Sequence, residues 1–464
     1  MLEFLVLFYM RNIPPKFRRL FSIFFGYHSP FFKNRALVGT RDFIQDYNAL
    51  VGSDGNCLVI QNKDLALRAL HHQFKKRGIR SELLGDFWWG KFAEAITLND
   101  KDGLEIQALL RNYIIQIPAE RLIWWEWLAI YNLLLKFGLF NIAYILRIHA
   151  RKSILIQLES GRIKAGTYIH LKALGALVES RSWDLLKSEI NKINALFFED
   201  KYFLDFLNTM TRDLEQVKKM NFDGISSRDT LFYEFNYDKK IAFVGPAKSK
   251  NKDGAEIDAF DVVAKANHKN IHKIDNSSSR ALRCDISYYN GRQSRRFYET
   301  DEVIPDGLSF AVAVENNFKY LQSLESSFRD SACLLRSGRN YRSILMQGSF
   351  HAMPNAIFDL LRCHPKEIKV FHADLMLTVN RYKGYKHTAE KFSEHAKVFL
   401  DTLTNHDPMI QWSFLEIPYK AGLLKGDAMF ERVMNMGEEK YMHALQKVYG
   451  DCARLNSSSA CIKV

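Results

Sequence analysis

The 464-residue chain is poor in cysteine, and its six cysteines are scattered without a Cys-x-x-Cys pair. This distribution argues against a disulfide scaffold and against a cysteine zinc site. It is typical of a protein from a reducing compartment. The sequence therefore predicts a cytoplasmic location.

The chain also lacks an apolar run of the roughly 20 residues that a membrane-spanning helix requires. Near the N-terminus, residues 4–10 and 20–25 are apolar and flank a basic stretch that contains two prolines. A signal peptide carries its positive charge before the apolar run, whereas this charge follows it. Residues 1–45 are interpreted as a basic amphipathic segment, peripheral on an anionic inner-membrane surface, or as a helix docked on the protein's own core.

Signatures of nucleic-acid binding are missing as well. The sequence has no zinc-finger spacing, no aromatic-glycine RNA motif and no dense run of Lys and Arg. The net charge of +13 is therefore assigned to solubility, to an anionic membrane surface or to an anionic sugar nucleotide, and not to nucleic acid.

The character of the sequence changes along the chain. Residues from about 60 to 220 place apolar side chains at helical spacing, and two loosely similar hairpins suggest degenerate helical repeats. Beyond a polar, turn-rich stretch, short apolar runs alternate with helical patterns. The sequence predicts three parts: the N-terminal segment (1–45), an all-α helical domain (46–222) and an α/β domain with a Rossmann-like sheet (231–464).

Three tryptophans, Trp124, Trp125 and Trp127, cluster in one predicted helix of the helical domain. Aromatic rings of this size are interpreted as core residues, or as a platform on which an acceptor sugar stacks.

Five strands are predicted in the α/β domain, at residues 241–245, 261–267, 284–290, 308–315 and 367–373. In open α/β sheets, ligands bind outside the carboxyl ends of the strands. Gly245 at the first such end lets a ligand approach the backbone, and Asn267 at the second offers both a donor and an acceptor. The loop GPAKSKNKDG between them has neither dinucleotide nor Walker spacing. An ordinary turn at a strand end is the alternative for both residues.

The segment around these residues resembles the large sialyl motif of animal-type sialyltransferases, in which Val-Gly-Asn precedes a loop and then Gly-x-Glu-Ile-Asp-x-x-Asp-x-Val-x-Arg-x-Asn. The matching residues are Val244, Gly245, Gly254, Glu256, Ile257, Asp258, Asp261, Val263 and Asn267. Pro246 replaces the family's first Asn. The next strand ends in Asn290, similar to the Phe-Tyr-Asn of bacterial sialyltransferases. The resemblance implies that Gly245, Pro246, Asn267 and Asn290 line a pocket for the CMP of a donor.

Two later segments resemble further motifs of the family. Residues 343–374 are similar to the small sialyl motif, a small-residue turn followed by a helix and a strand. Its turn at Gly348 and Ser349 precedes a helix whose free N–H groups can cradle a phosphate. The sequence RYKGYK takes the place of the third motif, and the resemblance implies that Tyr382 and Tyr385 donate to the phosphate. A solvated basic loop is the alternative.

The sequence NHDPMIQ, residues 405–411, is similar to the very small sialyl motif His-Asp-x-x-x-Glu. The resemblance implies that His406 is the catalytic base, with Gln411 in place of the Glu. Histidine suits this task because its pKa lies near neutrality. A turn residue that caps a helix is the alternative for His406. Three other histidines are interpreted as structural: His351, His372 and His387.

The sequence predicts neither a metal nor a cofactor. Its one Asp-x-Asp pair, Asp100 and Asp102, lies in the helical domain. A metal-dependent nucleotide-sugar enzyme carries such a pair beside the nucleotide strand, where it holds a divalent cation on the pyrophosphate. A CMP-sugar has a single phosphate and needs no such cation.

Together the motifs imply a sialyltransferase-type α/β domain. The implied activity is metal-independent, inverting transfer of sialic acid or a similar acidic sugar from a CMP-sugar to a glycan acceptor, in bacterial surface-polysaccharide synthesis. One alternative is an α/β transferase that uses another nucleotide donor or S-adenosylmethionine. A second alternative is a helical scaffold with a degenerate transferase domain, which Pro246 and Gln411 favour.

Overall fold

The computed structural model describes residues 74–75, 78–97, 100–192, 206–207, 210, 227–268, 281, 283–300, 304–323, 333–339, 341–378, 403 and 406–458. The N-terminal segment 1–45 and the candidate residues Tyr382 and Tyr385 lie outside these ranges. Within them, none of the helices combines the length and the apolar character that crossing a membrane requires.

The first part of the described chain is helical, as predicted. Its helices are α1 (Gly85–Thr97), α2 (Asp100–Gln116), α3 (Trp124–Lys136), α4 (Phe140–Glu159), α5 (Tyr168–Glu179) and α6 (Trp183–Asn191). Short 3-10 turns, Ser81–Leu84 and Ala119–Arg121, precede α1 and α3. Gly138 adopts a left-handed conformation with φ of +72° between α3 and α4, which is the usual way for a helix to end at a glycine.

The three tryptophans of α3 belong to the core. Trp124, Trp125 and Trp127 are 2%, 8% and 0% exposed. The indole N–H of Trp127 donates to the carbonyl of Ala119 at 2.8 Å, so its polar atom is satisfied inside the protein. This burial confirms the core interpretation and leaves no open ring face for an acceptor sugar.

The second part is built on a parallel seven-stranded sheet. Its strands are β1 (Lys240–Val244), β2 (Val262–Ala266), β3 (Ile286–Tyr289), β4 (Phe310–Val314), β5 (Leu334–Gly338), β6 (Glu367–Phe371) and β7 (Lys425–Gly426). Every residue of β2 and β3 is buried, as expected of parallel strands that are covered on both faces.

The strand order β5-β4-β3-β2-β1-β6-β7 reverses its direction beside β1. The chain adds β2 to β5 on one side of β1 and then places β6 and β7 on the other side. Ile241 of β1 pairs with Val262 of β2 and with Ile368 of β6. Open α/β sheets bind their ligands at such a reversal, outside the carboxyl ends of the strands.

Helices of the second part connect and cover these strands. They are α7 (Ser227–Asn236), α8 (Gly254–Asp258), α9 (Gly291–Glu299), α10 (Glu315–Gln322), α11 (Ala352–Leu361), α12 (Pro408–Lys420), α13 (Ala428–Met434) and α14 (Glu438–Ser458). Side-chain oxygens of Asn290, Asp407 and Asp427 accept backbone N–H groups in the first turns of α9, α12 and α13. Such caps fix where a helix begins.

All five predicted strands are present, as β1 to β4 and β6, so a parallel α/β sheet that follows a helical region is confirmed. The sequence did not predict β5 or the two-residue β7. β5 has the sequence LLRSG, and its Arg336 is buried against Asp359 at 2.5 Å. An apolar pattern cannot reveal a strand of this kind. The polar loop after β1 leads into the short helix α8, which the sequence did not predict.

The helical part and the sheet share one hydrophobic core. A single cluster of buried apolar residues runs from Phe74 in the helical part to Tyr449 in α14 and includes Ile241 of β1. Helix α4 packs against α14, and α5 packs against α12. The domain boundary between residues 222 and 231 stays a prediction, since residues 211–226 lie outside the described ranges.

Candidate functional site

Loops that follow the parallel strands lie at one edge of the sheet, because parallel strands end on the same side. Gly245 and Pro246 follow β1, Asn267 follows β2 and Asn290 follows β3. The loop 339–351, which contains Gly348 and Ser349, follows β5. The structure thus places these six predicted donor-binding residues at the carboxyl edge of the sheet.

A glycine is required at position 245 because the loop after β1 packs closely against the loop after β6. Its N–H donates to the carbonyl of Phe371 at 2.8 Å, and the N–H of Ala247 donates to the carbonyl of His372 at 2.9 Å. A Cβ on Gly245 would lie 2.5 Å from the carbonyl oxygen of His372. The group that approaches the glycine is therefore the protein's own backbone. Contact of Gly245 and the half-buried Pro246 with CMP stays a prediction.

Asn267 and Asn290 form a linked pair at the ends of β2 and β3. Asn267 is 4% exposed, and its left-handed φ of +51° is a conformation that asparagine tolerates. Its Oδ1 accepts the N–H of Asn290 at 3.0 Å. The Oδ1 of Asn290 in turn accepts the N–H of Gln293 at 2.9 Å and caps α9. Both carboxamide oxygens serve the fold, so the carboxamide nitrogens are the groups that this pair can offer a ligand.

The Gly348–Ser349 turn meets His406, which comes from a distant part of the sequence. Nδ1 of His406 lies 3.1 Å from the carbonyl oxygen of Ser349 and 3.5 Å from its hydroxyl oxygen. A carbonyl only accepts, so Nδ1 carries the proton and the lone pair of the neutral ring is on Nε2. The ring of His351 stacks on that of His406, with centroids 4.1 Å apart. His351 was interpreted as structural, and the structure brings it into the candidate site.

The pKa of His406 lies below its ordinary value of 6.5. Burial is the main cause, because a protonated ring loses more hydration than a neutral one, and the nearby Arg342 lowers the pKa further. Hydrogen bonds to the backbone of Ser349 and Phe350 act in the opposite direction. The ring is therefore neutral at pH 7, the state in which it accepts a proton.

Gln411 holds the two loops together at the position where the very small motif has Glu. Its side chain is buried, and Oε1 accepts the N–H of His351 at 2.8 Å. Nε2 donates to the carbonyls of Ser349 at 3.2 Å and of Asp407 at 3.3 Å. An amide donates and accepts at once, which a carboxylate cannot do. Gln411 therefore supports the geometry around His406 without adding charge.

Asp407, the neighbour of His406, is 0% exposed and has several partners. Oδ1 accepts the hydroxyl of Tyr131 at 2.7 Å, and Oδ2 accepts Nε2 of Gln347 at 2.7 Å. Oδ1 also accepts the N–H of Met409 at 2.9 Å, which caps α12. These bonds fix the backbone that carries His406.

Arg147 of α4 joins Asp407 to a second buried carboxylate. Its guanidinium lies 3.2 Å from Asp407 and 2.6 Å from Glu179, and all three side chains are 0% exposed. Burial raises the pKa of Glu179, while Arg147 lowers it. A buried charge network of this kind fixes the helical part against the start of α12, because each charge depends on its partners.

Helices α3 and α5 form a wall against the loop 339–351. Asn132 donates to the Oε1 of Gln347 at 2.8 Å, and Nζ of Lys172 donates to the carbonyl of Arg342 at 2.8 Å. Gly175 brings the backbone of α5 so close to this loop that a Cβ has no room. The helical part thus covers one side of the candidate site.

Tyr441 of α14 connects the segment after β6 with the start of α12. Its hydroxyl donates to the carbonyl of Leu375 at 2.8 Å. The pKa of Tyr441 lies well above its ordinary value, chiefly because of burial, with further contributions from Tyr449, Asp374 and Asp407. The ring of Tyr441 also stacks on that of Trp412 in α12, with centroids 6.4 Å apart, so α14 contacts both the segment after β6 and α12.

One cluster at the carboxyl edge was missed by the sequence. Asp253, His372 and Asp427 follow β1, β6 and β7, and their potential ligand atoms all lie within 4.8 Å of one another. Nε2 of the His372 ring is 2.8 Å from the carboxylate of Asp253. The backbone N–H of His372 donates to the carboxylate of Asp427 at 2.7 Å. Since the three residues come from separate segments, no local spacing indicates them. The expected absence of a metal stays a prediction.

No protein-family model matches the chain, and a comparison with curated proteins gives no match either. The resemblance to sialyltransferases therefore depends on the motif residues themselves.

Proposed function

We propose that this chain is a glycosyltransferase that moves sialic acid or a similar acidic sugar from a CMP-sugar to a glycan acceptor. The observation that carries the proposal is the contact between His406 and the Gly348–Ser349 turn. These two segments resemble different motifs of one family, they are far apart in sequence, and they meet at the edge where α/β sheets bind ligands.

In the proposed reaction, Nε2 of the neutral His406 takes the proton of the acceptor hydroxyl. The acceptor oxygen then bonds to the anomeric carbon of the sugar. The bond from that carbon to the phosphate oxygen of CMP breaks on the opposite side, which inverts the configuration. CMP leaves as an anion, and the N-terminus of α9 or α11 offers N–H groups and a positive dipole end for its phosphate. No metal takes part in these steps.

The surroundings of His406 support its role as the base. Its lowered pKa keeps the ring neutral at pH 7, and the bond from Nδ1 to Ser349 fixes the tautomer. Its backbone is held by the buried Asp407. The wall formed by α3 and α5 is proposed to border the acceptor. A cytoplasmic location, with segment 1–45 on the inner membrane, places the enzyme beside a growing bacterial polysaccharide.

One observation favours the alternative of a scaffold with a degenerate transferase domain. The carboxamide oxygens of Asn267, Asn290 and Gln411 all bind the protein's own backbone. In that case the edge keeps the architecture of a nucleotide site without its activity.

The test is release of CMP from CMP-sialic acid, with and without glycan acceptors, by the wild-type protein and His406→Ala. We expect a loss of about 100- to 10,000-fold in the variant, the usual contribution of a general base. The control is His443→Ala, which alters an exposed histidine of α14. Equal activity of His406→Ala and the wild type would remove His406 from the mechanism. Stabilisation by UDP or S-adenosylmethionine and not by CMP would overturn the donor.

A further inference from the structure

The carboxyl ends of three adjacent strands bring Asp253, His372 and Asp427 together. β1, β6 and β7 are neighbours in the sheet, and each is followed by one of these residues. One potential ligand atom from each residue lies within 4.8 Å of the others. Ligands of one metal ion are separated by about 3–4 Å when the bonds are about 2.0–2.2 Å long. Small side-chain movements therefore suffice to close the cluster around an ion.

The two carboxylates of this cluster carry negative charge that a bound cation would neutralise. His372 is 0% and Asp427 is 8% exposed, so both are largely withdrawn from water. Among the described residues, neither Asp253 nor Asp427 forms an ion pair with a lysine or an arginine. The imidazole of His372 beside Asp253 offsets at most one of the two negative charges that converge here, so the carboxylates still repel each other and lose hydration. A divalent cation between them offsets both costs.

The carboxylate of Asp427 is already oriented for such a role. Its Oδ1 accepts the N–H of Phe430 at 2.9 Å, and its Oδ2 accepts the N–H of His372 at 2.7 Å. A carboxylate has about four lone-pair positions, so both oxygens keep a position for an ion. Hydrogen bonds that orient a metal-binding carboxylate are a regular feature of metal sites. The side chain of Asp253 is 17% exposed and gives an ion access from solvent.

We propose that Asp253, His372 and Asp427 hold a divalent transition-metal cation, Zn²⁺ or Mn²⁺. One imidazole and two carboxylates form a mixed donor set, since imidazole suits zinc and carboxylates suit manganese. The ion ties the loop after β1 to the ends of β6 and β7, at the reversal of strand order. This proposal is independent of the transfer reaction at His406, and its readout is metal content rather than activity.

The experiment uses the full chain, stripped of metal with a chelator and then incubated with Zn²⁺, Mn²⁺, Mg²⁺ or Ca²⁺. We expect stoichiometric retention of Zn²⁺ or Mn²⁺ through gel filtration, measured by elemental analysis, and a rise in Tm by several degrees. Asp427→Asn keeps the helix cap, because asparagine caps as well as aspartate. Loss of a residue that only hydrogen-bonds to a metal ligand lowers metal affinity by ~10- to 100-fold. We expect Asp427→Asn and Asp253→Asn, which alter the ligands themselves, to lower it by more than that.

Two variants control for binding elsewhere on the surface. His443→Ala removes an exposed histidine, and Asp261→Asn alters an aspartate at the opposite edge that accepts the N–H of Lys240. Both are expected to bind the cation like the wild type. Two results overturn the proposal: failure of the wild type to retain any of the four cations, and equal retention by wild type and Asp253→Asn. The cluster is then an Asp–His–Asp hydrogen-bonded group.

Discussion

Replacing Arg147 by methionine removes the charge that joins the helical part to the candidate site. Arg147 is 0% exposed and lies 3.2 Å from Asp407 and 2.6 Å from Glu179. Methionine fills part of the volume but takes the guanidinium away from both buried carboxylates, and among the described residues only Glu179 of the two keeps a nearby cation, Arg151. Breaking a buried pair in this way costs about 3–5 kcal/mol of the free energy of unfolding. We expect the lower half of that range, because Asp407 keeps its bonds from Tyr131 and Gln347.

A double-mutant cycle with Asp407→Asn separates the ion pair from the packing of the Arg147 side chain. The asparagine keeps the cap of α12 and can still accept the hydroxyl of Tyr131. Equilibrium urea denaturation of the two single variants and the double variant gives the coupling energy. We expect about 1–3 kcal/mol, as for residues that share one buried network.

The matched control is Arg111→Met, which removes an ion pair between α2 and α14. Arg111 is 38% and its partner Glu439 is 53% exposed, so the control should cost no more than about 1 kcal/mol. A cost of Arg147→Met as small as that of the control, or a coupling energy near zero, would show that the buried ion pair does not stabilise the contact. The helical part would then be attached to α12 by apolar packing alone.

Three further predictions concern other positions. Gly245→Ala should lower the free energy of unfolding by about 1–3 kcal/mol, because the new Cβ meets the His372 carbonyl. Gly90→Ala in α1 has open space around its Cβ and should raise that free energy by up to ~1 kcal/mol. Urea denaturation measures both changes. Asn290→Ala should lose ~1 kcal/mol with the cap of α9, and Asn290→Asp should restore it. Turnover of CMP-sugar should fall as pH drops below 6.5, through the lowered pKa of His406. The unfolded chain binds this proton more readily than the folded protein. His406 therefore also lowers the free energy of unfolding as the pH drops below 6.5. A decline in CMP-sugar turnover that already sets in above pH 7 as the pH is lowered would contradict His406 as the base.

The sequence predicted those parts of the fold that have a regular apolar signal. The runs at β1, β2, β3, β4 and β6 are apolar, and all five became strands of one sheet. β5 was missed because its central Arg336 is buried by pairing with Asp229 at 2.7 Å and Asp359 at 2.5 Å. Asp229 lies 107 residues before Arg336 and Asp359 lies 23 residues after it, both on helices, so nothing next to the arginine in sequence indicates its burial.

The candidate site was predictable where it consists of short motifs and unpredictable where it depends on long-range pairing. The turn at Ser349 and the His406 segment carried sequence signals, and the structure places them in contact. The anchoring of Asp407 by Tyr131 and Arg147 had no such signal, because those residues lie on helices of the other part of the chain.

The most direct test of a nucleotide site at the carboxyl edge is a crystal structure of the full chain with CMP. We expect the nucleoside to lie against Asn267 and Asn290 and the phosphate to face Ser349 and His406. CMP bound away from this edge, or crystals that take up no CMP while the protein releases it from CMP-sialic acid, would contradict a nucleotide site at the carboxyl edge.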